Sequence, residues 1–449
     1  MVALVYGVSA YERQRGDLPE LPVVNMFSEF AVSEGMTTLQ SRPGLETSTI
    51  TMGEGPVTRL YKIDGVLEGL LFGVSGNEFY VEEELLGSLT GTGPSSITGY
   101  EDRVFVNSGG PIYSYNGTVF STVAFPDDAD VSKVLVGASR LVAIKADTGR
   151  FYWSDVLTSA IDDLSFATAE NSPDKLKDAL YVGDTLILFG AETVEFWAVS
   201  SDPDLPFQPT PGRTYQTGIK ARGCATEYLD AWAWVTDKNQ VCINTPTDIV
   251  SYPGLETKIE NSTNRSLWTF SIDGVEFLVL RLDDETWAYH SRHSTWSQLE
   301  SYGENNWLPQ CFEEGYFGLS NSGELSQWSD NYYDYGSVLE RRFRAGLSIE
   351  GGTQQLGNIL IRTNPGHTDI LSGDYSNPYI SLRLSKDGGF EWSNWKEARL
   401  GTQGSYGLRT VWTSLGYFQY PGIIVEFRVT DPVPFRVSGV FANEPYGGI

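Results

Sequence analysis

The feature that most constrains this chain is a hairpin that keeps coming back. A short apolar strand, a turn of Gly, Asn or Asp, and a second strand ending on an aromatic residue recur between residues 62 and 331. Clear copies are VLEGLLFGVSGNEFYVE (66–82), DRVFVNSGGPIYSYNG (102–117), RLVAIKADTGRFYWSD (140–155) and DTLILFGAETVEFWAV (184–199). AWAWVTDKNQVCIN (231–244), EFLVLRLDDETWAYH (276–290) and GYFGLSNSGELSQWSD (315–330) follow. Each alternates apolar and polar residues around a turn dipeptide, the signature of a β-hairpin. Measured from Leu71, Val104, Leu141, Leu186, Trp232, Phe277 and Tyr316, the spacing is 33 to 46 residues. That is the blade spacing of a β-propeller, in which each four-stranded unit needs its neighbours to cover its faces. Six or seven blades fit. Ordinary meanders folded into two sandwiches would show hairpins too and stand as the alternative to the propeller.

The flanks read differently. Residues 1–60 carry Pro and Gly in PELPVVNMF and SRPGLETSTITMG at positions that forbid a helix interior, and are expected to be extended. Residues 61–331 are the expected propeller. Beyond, at 332–449, the strands lengthen (RFRAGLSIE, NILIRT, YISLRLS, IIVEFRVT, FRVSGVFA). In YISLRLS, Ile380, Leu382 and Leu384 face one way and Ser381, Arg383 and Ser385 the other, the pattern of a sheet with one wet face. The expected fold is therefore all-β: an extended N-terminal segment, a propeller and a C-terminal β-sandwich.

Charge narrows the function. The chain holds 31 Lys or Arg against 58 Asp or Glu, a formal charge of −27, which argues against a protein that grips nucleic acid or anionic lipid. An acidic wall could instead keep a passing duplex from adhering. Cys224, Cys242 and Cys311 form no C-x-x-C pair, so neither a disulfide framework nor a zinc site is expected. MVALVYGVSAYERQ lacks the basic region and cleavage site of a signal peptide, and no apolar run approaches the roughly 20 residues that span a bilayer.

Candidate chemistry is sparse. SKDGGFEW matches the S-x-D-x-G-x-x-W pattern of an Asp-box through Ser385, Asp387, Gly389 and Trp392. It is read as a structural hairpin: the Asp387 carboxylate accepts turn N–H groups, Gly388 and Gly389 permit positive φ, and Trp392 packs beneath. His290 and His293 are expected on opposite faces of a strand, as surface polar residues sharing no metal, and His367 stands alone in a loop. Asp127, Asp128 and Asp130, and Asp283, Asp284 and Glu285, match no calcium-loop spacing and read as solvated turns. Carboxylate pairs for glycoside hydrolysis discriminate nothing among so many acids. Arg15-Gly16-Asp17 is read as a chance tripeptide. No catalytic, cofactor-binding or metal residue is assigned, and no cofactor is expected.

Several strings together resemble the packaged-DNA stabilisation proteins of short-tailed bacteriophages. NMFSEF (25–30), LQSRPGLE (39–46) and GEGPVTRLYKIDGVL (53–67) are similar to that family's opening. RFYWSDV (150–156), LSFATAENSPDKL (164–176), LILFGAETVEFW (186–197), LPFQPTPG (205–212) and GCATEY (223–228) are similar to its middle. LRLSKDGGFEWSNW, LGTQGSYGLRTVW and FRVTDPVPFRVSGVFA complete the match, while GTGPSSITG (91–99) has no assigned equivalent. The resemblance implies a non-enzymatic tail-nozzle and head-completion subunit of the virion, made in the host cytoplasm. It would assemble as a homo-hexamer below the portal and adaptor, retain packaged DNA, pass double-stranded DNA without specific binding, and hold the tail needle and tailspikes or fibres. No membrane insertion is implied. Two other classes stand beside this reading: a receptor- or glycan-binding tail module using exposed aromatics, and a sialidase-like propeller hydrolase suggested by the Asp-box.

Overall fold

In the computed structural model, which describes residues 2–3, 5–6, 22–31, 36–169, 174–250, 252–348, 351–420 and 422–443, the hairpin repeats form a seven-bladed β-propeller. Blades 1 to 4 are four-stranded sheets at residues 57–88, 96–123, 131–168 and 176–215. Blade 5 has three strands at 225–243, blade 6 spans 266–299, and blade 7 begins at 309–329. The seven sequence anchors each lie on, or directly before, the second strand of a blade.

Local chemistry explains the hairpins. In blade 6, Ile272 pairs with Val275 across a two-residue loop whose Asp273 and Gly274 both have positive φ (51° and 75°). That is the primed turn whose twist matches a right-handed strand pair. Blade 3 closes the same way through Ala138 and Ser139, and blade 7 through Glu314 and Gly315. Apolar faces are then buried between neighbours. Phe105, Val134 and Tyr152 share one cluster between blades 2 and 3, and Phe151, Leu188 and Trp197 another between blades 3 and 4.

The ring closes with a strand from far away in the chain. Gly44–Thr51 pairs antiparallel with Glu324–Ser329, Leu45 opposite Trp328, and supplies the fourth strand of blade 7. Val57–Tyr61 then opens blade 1, so the segment read as an extension up to residue 60 contributes strands to both blades at the seam. At that seam the backbones come close: a Cβ on Gly318 would sit 2.6 Å from both Cys311 Sγ and Val57 Cγ1.

The C-terminal unit is two packed sheets. One is ordered Thr410–Gln419, Thr353–Thr363, Arg436–Ala442, Met36–Ser41, Met26–Ala31, and the other runs through Arg341–Ser348, Gly422–Val429, Tyr379–Ser385 and Lys396–Arg399. Ile359, Ile361 and Val437 of the first meet Phe343, Leu382 and Phe427 of the second. Ile380, Leu382 and Leu384 point inward as their alternation requires. N-terminal strands complete this sandwich as well. The two-residue strand Val23–Val24 lies parallel to Thr295–Leu299 of blade 6 and antiparallel to Arg341–Ser348, so the blade and the sandwich share one continuous sheet. Among the described residues the one α-helix is Leu255–Asn261, and no helix is long and apolar enough to cross a membrane.

Candidate functional site

The innermost strands of all seven blades surround a central cavity of about 440 Å³. Its lining carries four cations, Arg59, Lys133, Lys177 and Arg222, and four carboxylates, Asp178, Glu227, Glu276 and Glu313. Several of these charges are already committed. Lys133 Nζ lies 2.5 Å from Asp178 Oδ1, while Asp178 Oδ2 accepts the Gly223 N–H at 2.9 Å. Lys177 Nζ donates to the carbonyls of Ile219 and Lys220, and the Arg222 guanidinium to that of Ser132. Gly93, in the segment without a family equivalent, lies against Arg222, where a Cβ would come within 2.5 Å of the guanidinium. Glu313 is the outlier: burial, opposed by Arg59, pushes its carboxyl up to about 7. Burial raises Glu227 in the same way.

The Asp-box residues come together in the sandwich. Ser385 Oγ donates to Asp387 Oδ1 (2.7 Å) and accepts the Gly389 N–H (2.6 Å). Asp387 also accepts the N–H groups of Phe390 (3.0 Å) and Glu391 (2.9 Å). Trp392 Nε1 donates to the Gly389 carbonyl at 3.2 Å. The Trp392 ring is not simply tucked under the turn. Arg383 and Arg344 sit over it at 4.6 and 5.2 Å, Arg383 also faces Trp395 at 4.7 Å, and Arg428 stacks on Trp395 at 4.2 Å. Glu426, fully buried, holds Arg344 and Arg383 at 2.5 and 2.6 Å. This arginine–tryptophan ladder was not visible as a motif, because its members come from three strands and a loop.

Other expectations need revision. His290 and His293 do not occupy opposite faces of a strand: the strand Thr286–His290 ends at His290, and residues 291–294 turn back. The two rings lie 4.6 Å apart, and His290 is buried rather than on the surface. Burial, reinforced by His293, drives the His290 pKa down to about 4. The acidic clusters, by contrast, are solvent-exposed as read apart from half-buried Glu285, and they add specific contacts: Asp127 pairs with Lys145 at 2.7 Å, Asp283 accepts the N–H groups of Thr263 and Asn264, and Glu285 meets Lys258 at 2.7 Å. Among the described residues no group of His, Cys, Asp and Glu could hold a metal ion. The three cysteines are separate buried thiols, each pushed by burial up to about 12. Arg15-Gly16-Asp17 lies outside the described residues.

The fold defines a class: a β-propeller joined to a sandwich by strands from its own N-terminal segment. The chain belongs to the phage stabilisation family described as Bacteriophage P22 Gp10, beta-propeller, whose model matches residues 1–310. The C-terminal strings that resemble the family lie beyond that match. No curated protein sequence matches the chain. Among solved structures, BBS1N in complex with ARL6DN aligns at 12% identity over 73% of this chain and 99% of its own, with a TM-score of 0.39. Raptor of Chaetomium thermophilum aligns at 8% identity over 65% and 29% (TM-score 0.39), and the AfRom2 CNH domain at 8% over 64% and 99% (TM-score 0.38). Likenesses this slight carry no argument about function.

Proposed function

We propose that this chain is a structural, non-enzymatic subunit of the tail tube of a short-tailed phage, a nozzle or head-completion protein that helps retain packaged DNA and forms the conduit for its ejection. In this reading six copies form a ring below the portal and adaptor, the tail needle and tailspikes or fibres attach to it, and assembly takes place in the host cytoplasm. Family membership carries the proposal. Two physical features support it. First, charge is segregated: residues 332–449 hold 11 Lys or Arg and 11 Asp or Glu, so the whole −27 belongs to residues 1–331. A wall of such segments repels phosphates and lets a duplex slide without specific binding. Second, a propeller cavity of about 440 Å³ with bound charges cannot admit a duplex, so a conduit has to lie between copies.

The test is mass in solution, alone and with the portal and adaptor of the same phage, together with the DNA content of particles assembled without this chain. Rings of six, or monomers that join only the portal–adaptor assembly, with DNA lost from particles lacking the chain, are the expected results. A monomer that ignores those partners and binds or cleaves a host glycan would overturn the reading.

A further inference from the structure

Blades 1 to 4 have two unlike ends. Each is an antiparallel meander of four strands, so its first and third turns lie at one end, and its second turn and the link to the next blade at the other. Among the described residues of these blades, the large apolar side chains left exposed gather at or near the first end, from Ile63 on blade 1 to Leu205 on blade 4, and none stands in a turn or link at the other. They are densest on blades 3 and 4. Leu157 and Leu164 are 70% and 84% exposed, with Val156 and Leu205 also out. Leu157 is held there: its φ of 57° costs a bulky residue energy, and its N–H is fixed by Tyr100 Oη at 2.7 Å, which itself donates to the Ser139 carbonyl at 2.7 Å. Arg140 ties the two blades together by donating to the Ser154 and Pro203 carbonyls. Large apolar side chains clustered in the open mark an interaction surface.

Charge identifies what covers this surface. Asp155, Asp162, Asp163, Asp202 and Asp204 stand exposed among these side chains, and of the five only Asp155 has an ion-pair partner among the described residues, Arg140 at 3.5 Å. Such a face repels the phosphates of a duplex or an anionic bilayer. A second copy of the chain offers no counterpart, because its residues 1–331 carry the whole −27 and its residues 332–449 hold 11 cations against 11 acids. We propose that this end of blades 3 and 4 docks a segment of a different protein, one that presents Lys or Arg beside apolar side chains. The carboxylates steer that segment and reject acidic competitors, while Leu157, Leu164 and Leu205 supply the area removed from water. In the tail-tube reading such a partner is another protein of the particle, but the surface follows from its own chemistry and does not need the ring.

The experiment uses the full chain and, as probe, a peptide of roughly 18 residues, about five helical turns, with Leu along one face and Lys on the other. Controls are a Lys/Ser peptide of equal charge, a Glu/Leu peptide, a DNA duplex and vesicles of anionic lipid. Hydrogen exchange should show the Lys/Leu peptide protecting residues 155–164 and 200–206 and leaving the sandwich unchanged, with every control binding about tenfold more weakly or not at all. Two surface variants that keep the parent's circular dichroism and melting separate the contributions. Leu164→Ser with Leu205→Ser should weaken binding about tenfold at any salt concentration, whereas Asp162→Asn with Asp163→Asn should weaken it at low salt and flatten its salt dependence. Absence of protection, protection elsewhere, equal binding of the Lys/Ser peptide, or variants that bind like the parent would overturn the inference. So would protection of the same turns by the duplex, or by raising the concentration of the bare chain, results that assign this end to DNA or to a second copy. The ring reading is tested separately by mass in solution, so either can fail alone.

Discussion

Arg42 and Asp334, 292 positions apart in sequence, form a bidentate ion pair of 2.9 and 2.5 Å with side chains 0% and 1% exposed. The pair sits where propeller, sandwich and N-terminal strands meet. Arg42 Nε also donates to Asn25 Oδ1 at 3.0 Å, and Asn25 Nδ2 reaches the carbonyls of Glu300 and Glu340. Asn25 has a φ of 57°, in the left-handed region that Asn tolerates better than most residues. One polar knot therefore ties three parts of the chain.

Removing one member leaves a buried charge without its partner, which costs about 3–5 kcal/mol. Asp334→Ala is expected to lose stability of that order in urea denaturation. The double variant Arg42→Met, Asp334→Leu should recover much of the loss, because an apolar pair of similar size avoids the uncompensated charge. A double variant as unstable as the single one would show that the pair is not the coupling element.

The second prediction concerns pH. Glu313 has a folded pKa near 7, above its usual 4.5, so its contribution to stability is complete below pH 4.5 and is lost as pH rises through 7. His290 runs in the opposite sense: its folded pKa near 4 lies below its usual 6.5, so its contribution is complete above 6.5 and lost as pH falls toward 4. In one window the two slopes oppose each other. Glu313→Gln should gain stability relative to the parent as pH rises from 4.5 to 7, and His290→Phe should gain as pH falls from 6.5 to 4. Melting temperatures at half-unit pH steps check both, and parallel curves for parent and variant would refute the assignment.

Much of the fold was legible because a blade is a local object. Alternating apolar residues around turns such as Asp273-Gly274 pair with neighbours a few positions away, and the anchors from Leu71 to Tyr316 each mark a blade. The closure of the ring was not legible. Leu45 pairs with Trp328 through backbone bonds that leave no pattern in either segment, and Val23–Val24 is too short to show periodicity. His290 and His293 misled for a related reason: HSRH reads as strand, but Ser294 adopts a φ of 51° and the chain has already turned. The Asp-box was visible since Ser385, Asp387, Gly389 and Trp392 contact one another within eight residues. The arginines stacked on it come from other strands.

The third prediction tests the seam. Gly318 faces Cys311 of the adjacent strand in blade 7 and Val57 of blade 1, with no room for a methyl group. Gly318→Ala is expected to cost about 1–3 kcal/mol by overpacking. Combining it with Val57→Ala should recover part of that loss. Denaturant midpoints measure both, and an unchanged midpoint in Gly318→Ala would mean that blades 1 and 7 separate freely.

The last prediction separates local order from global stability at the Asp-box. Asp387 accepts from Ser385 Oγ and from the N–H groups of Phe390 and Glu391, so one carboxylate gathers the 387–391 turn. Asp387→Ala leaves the Phe390 and Glu391 N–H groups to water, which can satisfy them because the turn is exposed, so the cost falls on the local order of the turn. The hairpin lies at the edge of the sandwich, whose core of Ile380, Leu382 and Phe427 does not need the turn to stay packed. Faster hydrogen exchange at Phe390 and Glu391 is therefore expected with little change in melting temperature, while Asp387→Asn, which keeps one carbonyl acceptor, should fall between. Loss of exchange protection across the whole sandwich would instead make the turn part of the core's cooperative unit.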